Sequence, residues 1–170
     1  MSQAFVAIGS NVDPETQLRR AARALRGRFP DVRFSSCYRN PAFGFRGDDF
    51  VNAVAGFRTT LSVDALLRQL RAIESECGRE PGDPKWGPRA IDLDLLLFGQ
   101  LVGHGAGYTL PRPDLTRRAY MLGPLAQLAP DFAYPPAGPA IGELWAQFRA
   151  RAPADAQGLQ RIRMDLDAPE

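Results

Sequence analysis

Two aspartates separated by a single residue, Asp92 and Asp94, are the side chains of this sequence best placed for metal chemistry. They lie in the apolar run from Ile91 to Leu97, which is typical of a buried β-strand. Because successive side chains on a strand point to opposite faces, both carboxylates are expected on one face, about 7 Å apart at their Cα atoms. The apolar side chains expected on the other face are Ile91, Leu93, Leu95 and Leu97. Carboxylates at this spacing can converge on hard cations, and two such cations commonly hold polyphosphate oxygens during group transfer.

A glycine- and proline-rich loop, Gly78 to Pro88, precedes this strand and brings positive charge beside the aspartates. Arg79, Lys85 and Arg89 lie in or next to this loop, and Lys85 is the only lysine of the chain. Phosphoryl transfer depends on positioning and charge neutralisation, and the planar head of arginine binds phosphate oxygens at two points. These residues therefore favour a phosphoryl-transfer site. The alternative is an exposed strand face with two solvated aspartates, next to arginines that are ordinary surface charge.

Four predicted strands and two predicted helices are expected to position these residues. Their order, strand-helix-strand-strand-helix-strand, predicts an α+β protein with a ferredoxin-like (split βαβ) antiparallel sheet and helices on one face. A loop from Asn40 to Asp49 is expected to separate the second strand from the third. In chain order the elements are Ala4–Ile8, a helix from Pro14 to Gly27, Val32–Tyr38, Phe50–Thr59, a helix from Ser62 to Cys77, and Ile91–Phe98.

The rest of the chain predicts smaller elements. A hairpin-like stretch is expected after Gly99, followed by helices near Arg117–Leu128 and Ile141–Arg149. Neither an internal repeat nor a linker indicates a second domain. Residues 1–150 are therefore predicted to form a single domain, and residues 151–170 a partly ordered C-terminal tail.

The bulk composition excludes several classes of protein. A chain of 170 residues with a net charge of +2 fits one globular domain and is not typical of a general nucleic-acid binder. It has no apolar run that could span a bilayer and no secretory signal, so the cytoplasm is the predicted location. The single histidine, His104, provides no histidine cluster for a metal. Cys37 and Cys77 are predicted to be buried thiols rather than a disulfide.

The segment from Lys85 to Asp94, with the sequence KWGPRAIDLD, closely resembles the signature of the hydroxymethyldihydropterin pyrophosphokinase family. Four other segments resemble further motifs of that family in the same order, and the resemblance spans Ala4 to Pro130. These segments are Ala7–Asn11 with the opening strand and turn, Tyr38–Pro41 with a pterin loop, Asp49–Ala53 with an aromatic-x-Asn element, and Arg118–Leu125 with a C-terminal motif.

This resemblance implies an enzyme that transfers pyrophosphate from ATP to the hydroxymethyl group of 6-hydroxymethyl-7,8-dihydropterin, giving the pterin diphosphate and AMP in tetrahydrofolate biosynthesis. It implies that Asp92 and Asp94 bind two Mg²⁺ ions that bridge the ATP phosphates. The residues with implied catalytic roles are Arg79, Arg89 and Asp94. Asp94 can accept the proton of the pterin hydroxyl, unless a metal-bound hydroxyl loses it without a dedicated base. The residues implied to contact ATP are Glu74, Lys85, Trp86, Arg89, Leu95, Thr109, Arg112 and Arg118.

The same resemblance implies that the pterin lies between two aromatic rings, those of Phe50 and Tyr120. A flat heterocycle gains dispersion and stacking energy between such faces, and the amide of Asn52 offers a donor and an acceptor to its edge. Without the resemblance, ordinary core packing is the preferred interpretation of both rings. The residues implied to bind the pterin are Asn40, Pro41, Phe43, Phe50, Asn52 and Tyr120.

Two positions near the implied ATP site depart from the family pattern. Arg112 stands where a histidine is usual, and Arg71 stands where some members have a glutamine. An authentic pyrophosphokinase is the favoured hypothesis. The alternatives are a diverged paralogue that acts on a related pterin and a non-catalytic ferredoxin-like binding module. The expected partners are ATP and the reduced pterin, with no nucleic acid, membrane or obligate protein partner.

Overall fold

An antiparallel β-sheet forms the centre of the computed structural model, which describes residues 1–41, 48–78 and 91–168. The described strands are β1 (Ser2–Ser10), β2 (Arg33–Phe34), β3 (Cys37–Asn40), β4 (Phe50–Thr59), β5 (Asp92–Phe98), β6 (Gly103–Gly105), β7 (Tyr108–Leu110) and β8 (Gln160–Ile162). The main sheet has the order β5-β1-β4-β3-β8, with β2 also paired to β4, while β6 and β7 form a separate hairpin. This order of antiparallel strands is the predicted split βαβ arrangement, extended at one edge by β8.

Helices lie on both faces of this sheet. The described helices are α1 (Pro14–Arg28), α2 (Val63–Glu76), α3 (Ala119–Leu128), α4 (Ile141–Arg151) and α5 (Pro153–Gln157), and a 3-10 turn at Leu115–Arg117 precedes α3. None of these helices is long and apolar enough to cross a membrane.

α1 and α2 cover one face of the sheet because each carries an apolar stripe at helical spacing. In α2 the stripe consists of Leu66, Leu70 and Ile73, all fully buried. Burial of one such side chain contributes about 1.5–3 kcal/mol. The helix begins after Ser62 as predicted, and the Ser62 hydroxyl accepts a hydrogen bond from the Ala65 amide at 3.1 Å.

α3 and α4 cover the opposite face. The two helices of the predicted split βαβ arrangement, α1 and α2, do lie on one face, and α3 and α4 add a second layer that was not predicted. Leu122 and Leu125 of α3 and Phe148 of α4 are buried against a cluster that includes Phe5 and Val54 of the sheet. The interior strands β1 and β4 carry apolar side chains on both of their faces. The second half of the chain supplies the layer that buries the face left uncovered by α1 and α2.

A β-bulge in β5 changes the predicted alternation of its side chains. Val6 pairs with Leu95 and Phe5 with Leu97, which leaves Leu96 as an extra residue on β5. Leu96 and Leu97 therefore both join the cluster under α3 and α4, while Leu95 faces α1 and α2. Leu97 was expected on the face of Leu95, and this expectation is wrong. Closer to the start of the strand, the alternation that places both aspartates on one face is intact.

The predicted strand Val32–Tyr38 is divided into two short strands, β2 and β3. At the break, the Ser35 amide donates to the Val54 carbonyl and the Ser35 hydroxyl accepts from the Val54 amide, both at 2.8 Å. The Ser36 amide donates to the side chain of Gln127 in α3 at 2.7 Å. The Ser35 and Gln127 side chains here take the place of regular backbone hydrogen bonds between strands, so the regular pairing with β4 is interrupted.

The segment after residue 150 contributes to the sheet and to the core. β8 pairs with β3 in the register Cys37↔Ile162, and Met164 and Leu166 are buried with α1 and α2. The carbonyl of Leu166 accepts a hydrogen bond from Arg26 at 2.6 Å. Residues from the predicted tail therefore complete one edge of the sheet and one end of the core under α1 and α2.

Candidate active site

Four neighbouring strands bring their polar residues into one row at one end of the sheet. Asp92 on β5 pairs with Gly9 on β1, Gly9 pairs with Asn52 on β4, and Asn52 pairs with Tyr38 on β3. Side chains of directly paired residues point to the same face, and adjacent strands lie about 4.8 Å apart. Asp92 and Asn52, which are distant in sequence, therefore share one face with two strand spacings between them.

Gly9 provides the space that this row requires. A Cβ atom at Gly9 would lie 2.7 Å from Oδ1 of Asn52 and 3.9 Å from Cδ1 of Phe50. The first distance is too short for any real contact, so a larger residue would displace the Asn52 amide. Asn52 is also held from the other side, because its Nδ2 donates a hydrogen bond to Oδ1 of Asn40. Asn40 in turn pairs with Phe50, so these predicted pterin-binding residues are brought together.

Asp94 lies one residue beyond Leu93 on the same face as Asp92, as predicted. Burial raises the pKa of Asp94 above its usual range, and the neighbouring carboxylate of Asp92 raises the pKa further. Arg112 opposes both effects, because its Nη1 lies 3.2 Å from Oδ1 of Asp94. Each of these two side chains is about one-fifth exposed, so the pair lies at the rim of the site. The adjacent, partly buried carboxylates of Asp92 and Asp94 favour the binding of a cation.

The carboxylates of Asp92 and Asp94 fit Mg²⁺ better than they fit a metal ion whose ligands all come from the protein. Among the described residues, no group of three or more His, Cys, Asp or Glu side chains could hold a metal ion. Asp92 and Asp94 can supply oxygen ligands to part of a coordination shell. Mg²⁺ usually binds through one or two carboxylates and keeps waters and substrate phosphates as its other ligands. The two aspartates therefore fit a cation that arrives with a polyphosphate.

A cleft of about 410 Å³ opens at the outer edge of β5 beside Asp94. Its walls come from α2, from β5 and from the β6–β7 hairpin with the loop that follows. Three residues predicted to contact ATP line this cleft: Leu95, Thr109 and Arg112. The hairpin wall requires a glycine at Gly105, because a Cβ atom there would lie 2.6 Å from the Tyr108 ring. The volume and polar lining suit a nucleotide-sized ligand.

Tyr120, at the start of α3, lies near the carboxylates. Burial raises the pKa of Tyr120, and its charged neighbours are Arg118, Asp114, Asp94 and Arg112. Its ring packs at the margin of the cluster under α3 and α4. Tyr120 therefore lies near Asp94, and Leu95, Thr109 and Arg112 line the cleft beside the same carboxylate.

Glu74 and Arg71 lie beneath the cleft on α2. Glu74 was predicted to contact ATP, but its side chain is only 3% exposed. Its two oxygens contact Arg71 and the backbone of β5. Arg71 was not predicted as a site residue, although it lines the cleft with Asp94. The spacing of Arg71 and Glu74 on one helical face was the signal that could have indicated their pairing.

Five of the predicted site residues lie outside the described part of the chain. They are Phe43, Arg79, Lys85, Trp86 and Arg89. Pro41 is described and follows β3 directly. The roles of all these residues remain predictions.

The fold and the cleft define an α+β protein of the ferredoxin-like class with a site at one end of its sheet. Solved structures of Plasmodium falciparum HPPK-DHPS share this fold. One complex with pteroate has a TM-score of 0.72 at 11% identity, covering 96% of this chain and 46% of that one. An HPPK-DHPS in complex with substrates has a TM-score of 0.69 at 11% identity and 47% coverage of that chain. The present chain spans about half the length of these proteins, and the likeness shows the fold.

Sequence similarity shows the family. Residues 5–130 match the family described as 7,8-dihydro-6-hydroxymethylpterin-pyrophosphokinase (HPPK). A 2-amino-4-hydroxy-6-hydroxymethyldihydropteridine pyrophosphokinase from Synechocystis sp. is 39% identical over 144 residues, which cover 83% of this chain and 73% of the relative. One with the same name from Pseudomonas aeruginosa is 39% identical over 140 residues, covering 79% and 85%. The chain belongs to the 7,8-dihydro-6-hydroxymethylpterin-pyrophosphokinase family. The predicted family, enzyme class and fold class are confirmed.

Proposed function

We propose that this chain transfers pyrophosphate from ATP to 6-hydroxymethyl-7,8-dihydropterin, releasing AMP and the pterin diphosphate for tetrahydrofolate biosynthesis. One observation carries the proposal. Asp94 lines the nucleotide-sized cleft at the edge of β5, and Asp92, on the same face of β5, belongs to the polar row that contains Asn52. An alcohol held near Asn52 and a polyphosphate held in the cleft would meet at the two carboxylates.

Asp92 and Asp94 would hold two Mg²⁺ ions against the phosphates of ATP. When bound, the ions supply positive charge that stabilises the phosphate oxygens and lowers the pKa of a coordinated hydroxyl. Arg112 is positioned to contact a phosphate from the other side, since it lines the cleft and already faces Asp94. Leu95 and Thr109 would border the nucleotide in the same cleft. These residues orient the β-phosphorus toward the attacking alcohol.

The pterin would lie between Phe50 and Tyr120, with its amide-like edge toward Asn52. Gly9 keeps the space beside the Asn52 amide open, and Asn40 fixes the orientation of that amide. A side-chain amide held in this way presents a defined donor and acceptor pattern, which selects for a heterocycle with the complementary edge.

The remaining predicted roles are part of this proposal. Arg79 and Arg89 would neutralise charge during transfer, Lys85, Trp86 and Arg118 would contact ATP, and Pro41 and Phe43 would border the pterin. Asp94 is the candidate proton acceptor. We retain the cytoplasm as the location, and ATP and the reduced pterin as the partners, with no obligate protein partner.

A direct assay tests this proposal. AMP release from ATP and 6-hydroxymethyl-7,8-dihydropterin is measured with Mg²⁺ and after its removal by a chelator. We expect release that requires both Mg²⁺ and the pterin, and a loss of at least about 100-fold in Asp92→Ala and Asp94→Ala. Asp131→Ala is the matched control, because Asp131 is an exposed aspartate away from the site. Full activity in both site variants would contradict the assignment of the carboxylates, and ATP binding without AMP release would favour a related pterin as the substrate.

A further inference from the structure

The strand that carries both aspartates lies at an edge of the described sheet. β5 pairs with β1 on one side. On its outer side, the backbone groups of an edge strand need partners other than a strand, because an unpaired N–H or C=O away from water is costly. At Leu93 these partners come from the side chains of α2.

Two short contacts join Leu93 to one turn of α2, and a third joins the two α2 side chains to each other. The Leu93 amide donates to Oε2 of Glu74 at 2.8 Å, and Nη2 of Arg71 donates to the Leu93 carbonyl at 2.9 Å. Nη1 of Arg71 also donates to Oε1 of Glu74 at 2.7 Å, which closes the set. Arg71 and Glu74 are three residues apart, so both project from the same side of the helix. We call this pair the Leu93 clamp.

The position of the clamp matters because peptide groups are planar. The Leu93 amide belongs to the peptide plane that contains the Cα atom of Asp92, and the Leu93 carbonyl belongs to the plane that contains the Cα atom of Asp94. Holding both groups therefore fixes the orientation of the two planes from which the carboxylates extend. Backbone contacts at any other single residue of β5 would hold at most one of these planes.

The burial of Glu74 makes its contacts with Arg71 and Leu93 important for the folded structure. The Glu74 side chain is 3% exposed, whereas that of Arg71 is 49% exposed and lines the cleft. A buried carboxylate is costly unless it is paired and hydrogen-bonded, and removing one partner leaves an uncompensated charge. Among the described residues, Glu74 is the only buried carboxylate residue in the hydrophobic interior.

We infer that Arg71 and Glu74 are positioning residues that hold Asp92 and Asp94 in the geometry for cation binding, and that Glu74 acts through Leu93 rather than by touching ATP. This inference rests on the proposed role of the two aspartates as cation ligands. Residues that orient metal ligands typically change metal affinity or activity by about 10–100-fold when they are replaced. A contribution to edge stability alone would leave cation affinity unchanged in the folded protein.

The test compares Glu74→Gln and Arg71→Lys with the wild-type chain. Glutamine keeps an oxygen for the Leu93 amide but loses the ionic contact with Arg71, and lysine keeps the charge but cannot make both contacts of the guanidinium. Glu76→Gln is the matched control, because Glu76 lies on the same helix as Glu74 and its described ion pair is with Arg28 of α1 rather than with β5. Urea unfolding identifies variants that fold, and two separate substitutions keep the test available if one variant fails to fold.

Three measurements are made on each folded variant. They are the exchange rate of the Leu93 amide by NMR, the affinity for Mn²⁺ with a non-hydrolysable ATP analogue by electron paramagnetic resonance, and kcat and KM for AMP release. We expect faster Leu93 exchange, an Mn²⁺ affinity lowered by about tenfold or more, and a fall in kcat that exceeds any rise in the KM for ATP. Glu76→Gln should leave all three at the wild-type values.

Two outcomes would overturn the inference. If Leu93 exchanges faster while Mn²⁺ affinity and kcat stay at the wild-type values, the clamp only stabilises the edge. If the KM for ATP rises with Leu93 exchange unchanged, Glu74 contacts the nucleotide instead. A wild-type chain that releases no AMP contradicts the proposed function, whereas the clamp is still judged from Leu93 exchange and Mn²⁺ affinity.

Discussion

The guanidinium of Arg112 lies against the carboxylate of Asp94, with Nη1 3.2 Å from Oδ1. Arg112 thus supplies a positive charge where a Mg²⁺ ion is proposed to bind. Its Nε is buried and has no hydrogen-bond partner among the described residues. A cation that binds Asp94 would weaken this ion pair and release the guanidinium toward the phosphates in the cleft.

This arrangement predicts opposite effects of Arg112→Gln on two affinities. Without nucleotide, Mn²⁺ should bind about threefold or more tightly, because no charged side chain competes for Asp94. The non-hydrolysable ATP analogue should bind about tenfold more weakly, because a charge-assisted hydrogen bond to phosphate is lost. Calorimetry measures both, with Arg117→Gln as an exposed control. Weaker binding of both ligands would show that Arg112 does not compete with the cation.

Gly9→Ala should impair pterin binding specifically. The new Cβ atom would lie 2.7 Å from Oδ1 of Asn52 and must displace that amide. We expect the KM for the pterin to rise about tenfold or more, with the KM for ATP nearly unchanged, because a small displacement of a positioning group is costly. Gly27→Ala is the control, since a Cβ atom there meets nothing within 4 Å. Equal changes in both KM values would place Asn52 outside the pterin site.

The aromatic rings offer a second test of the pterin site. Tyr120→Ala should weaken pterin binding about threefold to tenfold through lost stacking, while Tyr120→Phe, which keeps the ring, should bind the pterin nearly as well as the wild type. Titration of pterin fluorescence at a fixed concentration of the ATP analogue measures both. Similar losses in the two variants would assign the effect to the hydroxyl rather than to stacking.

Cys37 should make stability depend on alkaline pH. The thiol is buried, as predicted, and burial raises the pKa of Cys37 from 9.0 to about 12. Because the folded chain holds this proton more tightly than the unfolded chain, the stabilisation is fully present below pH 9 and is lost as pH rises toward 12.

Between these values the free energy of unfolding should fall by up to about 1.4 kcal/mol per pH unit from this thiol. Urea unfolding from pH 8 upward should therefore show a steeper decline for the wild type than for Cys37→Ala. Parallel declines would mean that Cys37 ionises at its ordinary pKa in the folded protein.

Local patterns were sufficient to predict much of the sheet and the placement of both aspartates. The alternation around Asp92 and Asp94 depends on strand geometry alone, and the stripe of α2 depends on helical spacing alone, so both could be read from neighbouring residues. The division of Val32–Tyr38 into two strands could not be predicted from neighbouring residues, because it depends on the Ser35 hydroxyl, which contacts β4.

Other features depend on pairing between distant segments. The bulge at Leu96 follows from the register between β1 and β5, and nothing in the run of leucines marks it. The second helical layer was missed because the order of the first six elements does not show where later helices pack. Gly9 opposite Asn52 and Arg71 beside Leu93 likewise join segments that are far apart in the chain.

The Leu93 clamp also bears on how the protein behaves in concentrated solution. β5 is strongly apolar, and an open strand of this kind would recruit a strand from another molecule and start aggregation. Glu74 and Arg71 occupy the outward groups of Leu93, and the Arg112 amide donates to the Leu96 carbonyl at 3.0 Å. These contacts therefore occupy backbone groups at Leu93 and Leu96 that a strand of another chain would need for pairing at this edge.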